Sequence, residues 1–296
     1  MKVFLLSSFA RGDYGNLIYL AFRDIGCKVF LFDYRKQFEY FGEDEMNYRL
    51  AKAVLAWEPD VLFATKAEWI RRETIELLPC RKILWFPDVE TRYARFEIIR
   101  KAFDEVYTML EGRGIPTLYP AAYPPVHHEV KLEGKELWMY RTDCVFVGTA
   151  HPKRVKQFRE LANGLNVRMK VWGNGWPKDF PYYAGGPRYF IELSKAISGG
   201  KVSVNFHYNW PNTPNIRAFE VTACKRCLIS EEGKGLNECF EPGKEYVPFQ
   251  TISEARRLIQ YYVRHKEQRK KIAEKGYKRC MRDHLLTERL RRLLKK

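Results

Sequence analysis

Two stretches of the chain bring together residue types that can hold an anionic ligand. In the first, the apolar run from Cys144 to Val147 ends in Gly148 and Thr149 and is followed by His151-Pro-Lys-Arg154. Glycine lets a phosphate approach the backbone, and a helix N-terminus favours negative charge. Lys153 and Arg154 sit in the first turn, where cations alone oppose the helix dipole, so a diphosphate fits there. In the second stretch, Lys201 to Phe249, a strand ends near His207 and runs into the turn cluster Trp210-Pro-Asn-Thr-Pro214. The helix expected next carries Arg217 and Glu220 in its first two turns, with Thr213 or Asn215 as N-cap. Ligands of parallel α/β sheets bind beyond the carboxyl ends of the strands, which is where residues 205 to 220 fall.

Other groups admit two roles each. Asp88 follows the apolar run ending in Trp85-Phe-Pro and is either a binding carboxylate or the N-cap of the helix expected after it. His127 and His128 follow Tyr119 to Pro125, the most proline-rich segment. A histidine pair on such a linker reads first as a solvated feature and second as a catalytic pair facing a cleft between domains. Gly12 and Gly15 are spaced more loosely than a dinucleotide fingerprint, so a tight turn is the simpler reading. Gly173-Asn174-Gly175-Trp176 reads as an Asn-Gly turn beside a packed tryptophan. Cys224-Lys-Arg-Cys227 lacks the second ligand pair that zinc would want, and no metal is expected there.

The elements that must position these groups alternate between strand and helix. Apolar runs at 3–6, 28–32, 61–64, 83–86 and 105–108 read as strands, separated by helical periodicity around 16–25, 46–57, 68–77 and 91–103. The second half repeats the pattern, with strands at 144–149, 167–172, 202–206, 227–230 and 246–249 and helices at 189–197, 253–265 and 267–282. Such a βα alternation implies parallel sheets. The expected organisation is an N-terminal Rossmann-like domain over 1–125, a C-terminal one over 126–282, and a final helix over 283–296. In that helix Leu286, Leu290, Leu293 and Leu294 form an apolar row, and Arg289, Arg291, Arg292, Lys295 and Lys296 face outward.

The chain has 296 residues, 46% of them hydrophobic and 15% aromatic, which excludes a disordered protein. No apolar run reaches the roughly 18 residues of a membrane helix, and the short run at the N-terminus lacks the features of a signal peptide. The seven scattered cysteines imply reduced thiols and a cytoplasmic protein. A net charge of +16 points to anionic partners, such as a nucleic acid or an acidic membrane surface met peripherally, or else to a generally charged surface of the thermophile kind.

The run NFHYNWPNTPNIRAFEVTAC (205–224), then LISEEGKGLNECFEPGKEYVPF (228–249) and the helix YYVRHKEQRKKIAEKGYKR (261–279), resembles the donor half of CgeB-type, spore-maturation-protein-like glycosyltransferases, which are related to glycosyltransferase family 4. The likeness covers roughly residues 143 to 293. Lys225 stands where the family usually has glycine, and Asn212 where family 4 members often have a sugar-contacting glutamate. The resemblance implies the two-domain GT-B fold, with a cleft between the domains and a last helix returning to the N-terminal domain. It also implies a nucleoside-diphosphate-sugar donor in the C-terminal half, an acceptor bound by the other, and the Gly173–Trp176 turn beside the base. By the same token Glu220 would accept hydrogen bonds from the ribose hydroxyls, and Arg217 with the 213–217 backbone would hold phosphate.

With no Asp-x-Asp after a strand, cationic side chains rather than a metal cofactor are expected to stabilise the leaving group. Family 4 chemistry retains the anomeric configuration and needs no strong base. An inverting route needs one, for which Asp13, Asp88 and His127 are the candidates. Two other classes fit parts of the chain: a sugar-nucleotide epimerase of the same fold, and a basic nucleic-acid-binding protein without catalysis, although the basic residues are spread rather than gathered on one face. The acceptor expected from the charge is anionic or lipid-linked.

Overall fold

The computed structural model describes residues 1–87, 94–110, 114–207 and 213–295. They form two compact units, Met1–Pro120 with Leu286–Lys296 and Ala121–Leu285.

The first unit is built as β1 (Lys2–Ser7), α1 (Tyr14–Asp24), β2 (Lys28–Asp33), α2 (Tyr34–Trp57), β3 (Val61–Thr65), α3 (Arg72–Glu76), β4 (Arg81–Phe86), α4 (Phe96–Ile99) with a 3-10 turn at Arg100–Ala102, and β5 (Glu105–Thr108). The strands pair in parallel in the order β2-β1-β3-β4-β5. The interior strand β1 buries Val3, Phe4, Leu5 and Leu6 completely, because helices cover both faces of a parallel sheet and leave no polar side for alternation. The helix expected from residue 46 starts twelve residues earlier, at Tyr34, and is kinked at Gly42, whose φ of 78° breaks the apolar period there.

The second unit runs α5 (Gly134–Tyr140), β6 (Thr142–Val147), α6 (Pro152–Ala162), β7 (Met169–Trp172), β8 (Tyr183–Gly185), α7 (Ile191–Gly199), β9 (Gly200–Asn205), α8 (Ile216–Ala223), β10 (Cys227–Glu231), α9 (Lys234–Cys239), β11 (Val247–Phe249), α10 (Ile252–Arg264) and α11 (Lys266–Asp283). All its strands are parallel, in the order β11-β10-β9-β6-β7-β8. Strand order reverses between β6 and β9, which creates a crevice beyond their carboxyl ends. An aromatic core lies beneath it, with Phe158 centred 4.6 Å from Phe146, 5.0 Å from Phe206 and 5.1 Å from Trp176.

Two local details bear on the sequence reading. Lys225, just past the end of α8, adopts φ 54°, the left-handed conformation that glycine takes without strain, and its Nζ pairs with Glu274 at 2.6 Å. The last helix, α12 (Leu286–Leu294), belongs to the first unit, where it packs on α1 and buries Leu286, Leu290 and Leu293. Its polar face departs from expectation at Arg289, which is half-buried and donates to the carbonyls of Tyr119 and Pro120. Arg291, Arg292 and Lys295 are exposed, and Lys296 lies outside the described residues.

Candidate functional site

The carboxyl ends of β6, β7 and β9 gather most of the groups singled out in the second half. Gly148 follows β6 and Gly173 follows β7, and the two backbones touch: a Cβ on Gly173 would lie 2.0 Å from the Gly148 carbonyl oxygen. Gly173 also has φ 153°, so only glycine fits without strain. Neighbouring amides lock the pair, with Gly148 N donating to Trp172 O at 2.8 Å and Ala150 N to Asn174 O at 2.8 Å. Gly175, at φ 74°, closes the turn. Trp176 is only 6% exposed; its ring lies in the aromatic core and its Nε1 donates to Gly148 O at 2.9 Å. This tryptophan therefore anchors the glycine turn from below.

The cations of α6 are used unequally. His151 occupies the N-cap position and its Nδ1 accepts from Arg154 N at 3.3 Å. Burial, reinforced by Arg154 and Lys153, holds the His151 ring down at about 4, so it stays neutral at physiological pH. Arg154 donates to the Thr149 carbonyl at 2.6 Å and lies over the Phe146 ring, which ties its guanidinium to the loop after β6. Lys153 is exposed.

Beyond β9 the polar groups form a network. Asn205, buried at the end of an otherwise apolar strand, donates to Ser230 Oγ at 3.0 Å and accepts from Asn215 Nδ2 at 3.0 Å. His207 is buried too, with its amide on Glu231 Oε2 at 2.9 Å and its Nε2 donating to the Glu231 carbonyl at 3.0 Å. Burial lowers its pKa. Asn215 stands at the N-cap position of α8, and Arg217 and Glu220 follow one turn apart. Asn212 lies outside the described residues, as does Asp88.

Arg217 Nη1 and Glu220 Oε2 meet at 2.5 Å with side chains 17% and 6% exposed. Despite that charge contact, neither atom is aligned for a hydrogen bond, and Arg217 Nε and Asn215 Oδ1 are also without partners among the described residues. Buried polar atoms with spare hydrogen-bonding capacity are rare in folded proteins, and these leave donors and acceptors that a ligand could use. A carboxylate facing a guanidinium in such a setting suits a ligand that carries both hydroxyls and phosphate.

Of the three candidate bases, Asp13 belongs to the first unit, where its Oδ2 accepts from Ala10 N at 3.0 Å and its carbonyl from Asn16 Nδ2 at 3.1 Å. The histidine pair splits. His128 is exposed, but His127, read first as solvated, is 1% exposed, because its ring inserts against α8 with Nε2 3.5 Å from Glu220 Oε1. Asn205, Ser230 and Glu231 were missed by sequence reasoning. The signal for Asn205 was an amide placed at the carboxyl end of a buried strand.

Two doubly wound parallel sheets, the second ending in this crevice, define the GT-B class of fold. Residues 153–295, most of them in the second unit, match the family model described as glycosyl transferase-like. Solved structures similar over the whole chain include sucrose-phosphate synthase from Thermosynechococcus elongatus (TM-score 0.73, 10% identity, 100% of this chain and 98% of that one). An alpha-glucosyltransferase in complex with UDP and a mismatched 13-mer DNA is equally similar (TM-score 0.73, 11% identity, 100% and 99%). Anabaena Alr3699/HepE in complex with UDP-glucose follows (TM-score 0.69, 10% identity, 100% and 99%). At such identities the likeness is one of fold. No curated protein matches the chain in sequence. Among the described residues, no helix is long and apolar enough to cross a membrane.

Proposed function

We propose that this chain is a glycosyltransferase whose second unit binds a nucleoside-diphosphate sugar, with Glu220 accepting from the ribose hydroxyls and Arg217 holding phosphate. The observation that carries this reading is the Arg217–Glu220 pair, buried beyond the switch between β6 and β9 and left with unfilled hydrogen-bonding capacity. The family match over residues 153–295 supports it, as do similar folds solved with UDP and with UDP-glucose. The diphosphate is read as lying at the carboxyl ends of β6 and β7, beside the loop after Gly148 and the Gly173 turn, while Lys153 supplies exposed charge. The reaction is read as retaining and independent of metal, with cationic side chains stabilising the leaving diphosphate.

The test is a thermal-shift series with nucleoside diphosphates, because a ligand bound only by the folded state raises its melting temperature. UDP is expected to raise it in the wild type and to lose that effect in Glu220→Gln. No shift with any nucleoside diphosphate at millimolar concentration would remove the reading. Transfer that continues in EDTA, together with unchanged sugar nucleotide when no acceptor is present, separates this enzyme from a metal-dependent transferase and from an epimerase.

A further inference from the structure

His127 lies where the chain enters the second unit, and its ring is fixed from two sides. A turn closed by Val126 N and His127 N on the Tyr123 carbonyl, at 3.0 and 2.8 Å, sets its backbone. Its Nδ1 accepts the Tyr123 amide at 3.1 Å, and only an unprotonated ring nitrogen accepts. The ring proton is therefore on Nε2, which faces Glu220 Oε1 at 3.5 Å, longer than a formed hydrogen bond but close enough for the N–H dipole to attract the carboxylate. Burial favours this neutral form over the imidazolium, although Glu220 pulls the other way.

The other carboxylate oxygen, Oε2, is the one that Arg217 Nη1 approaches most closely. A buried arginine and carboxylate left to themselves close into a bidentate fork, and the terminal torsion of glutamate is soft enough to permit that rotation. In this structure the closest approach of the pair, Nη1 to Oε2, is not aligned as a hydrogen bond. We propose that His127 is a positioning residue: its Nε2–H draws Glu220 Oε1 away from Arg217, stops the pair from closing on itself, and keeps carboxylate and guanidinium open to the nucleotide. This rests on the reading of Glu220 as a ligand carboxylate. It explains why a proline-rich linker buries a histidine against the one helix that carries both ligand groups.

Two amide variants separate this role from a purely structural one, because the glutamine amide nitrogen reaches the place of imidazole Nε2 and the asparagine oxygen that of Nδ1. UDP affinity measured calorimetrically is expected to stay within about threefold of wild type in His127→Gln. In His127→Asn and His127→Ala it should fall about tenfold. Melting temperatures confirm that each variant is folded, and the ¹⁵N shifts of the wild-type ring should show Nε2 protonated. If His127→Asn binds UDP like wild type while His127→Gln does not, the histidine serves only the Tyr123 turn and the proposal is overturned. Glu220→Gln keeps the two readings apart. Weakening there with none in His127→Ala removes the role of His127 alone, whereas undiminished affinity in Glu220→Gln removes the donor site itself.

Discussion

The two units share a sheet type and a place where strand order reverses, yet they treat polar groups at that place differently. Between β1 and β3 the groups satisfy one another: Ser7 Oγ lies 2.5 Å from Thr65 Oγ1, and Asp13 and Asn16 bond the Ala10 backbone. Between β6 and β9, Asn215, Arg217 and Glu220 keep buried atoms without a hydrogen bond. No buried side-chain atom of that kind is found among the described residues of the first unit. A site is thus recognised less by which residues it holds than by hydrogen bonds that the protein leaves unmade.

The largest effect that should sharpen this contrast is at glycine. Gly173→Ala sets a Cβ against the Gly148 carbonyl and is expected to cost about 3 kcal/mol or more and to abolish the thermal response to UDP. Gly15→Ala also meets backbone, 2.4 Å from Ser8 O, and should lower the melting temperature while the UDP response survives. Equal loss in both would break the comparison.

Leu290→Ala comes next. It empties a fully buried position in α12 and should destabilise the first unit by about 2–5 kcal/mol. Hydrogen exchange should quicken in peptides of α1 and α12 while UDP affinity stays unchanged; weakened UDP binding would mean that the units are coupled.

Acid gives the smallest and most graded effect. All six histidines fall within residues 121–285, and His127, His151 and His207 all have lowered pKa values, His151 at about 4. Below the ordinary value of 6.5 the unfolded chain takes up protons that these rings refuse. Stability contributed by keeping them neutral is therefore whole above pH 6.5 and is lost as pH falls from 6.5 towards 4. Exchange measured at about pH 7.5 and pH 5, corrected for intrinsic rates, should show the second unit loosening first. Loosening led by the first unit would contradict this.

The parallel sheets were legible because continuous apolar runs between helical periods can be little else, and Arg217 and Glu220 were legible because they follow such a run and a turn. The short elements α5, α9 and β8 were not, since three to seven residues carry too little periodicity to separate from loop. Neither was the fate of particular side chains. A proline-rich linker gives no sign that His127 will meet a carboxylate 93 residues later, nor does a basic helix show that Arg289 bonds the carbonyls of Tyr119 and Pro120. Lys225 shows the converse: the departure from glycine was plain in the sequence, and the structure keeps the left-handed turn regardless.

The return of α12 to the first unit also orders events in time. A ribosome adding about 5–20 residues per second spends many seconds on residues 121–285 before Leu286 emerges. Throughout that interval the surface of α1 that α12 covers stays open, and by the time Leu286 is added the second unit already has its whole chain. The half synthesised first is then the half completed last, and a nascent chain halted before Leu286 should need chaperone cover on the first unit alone.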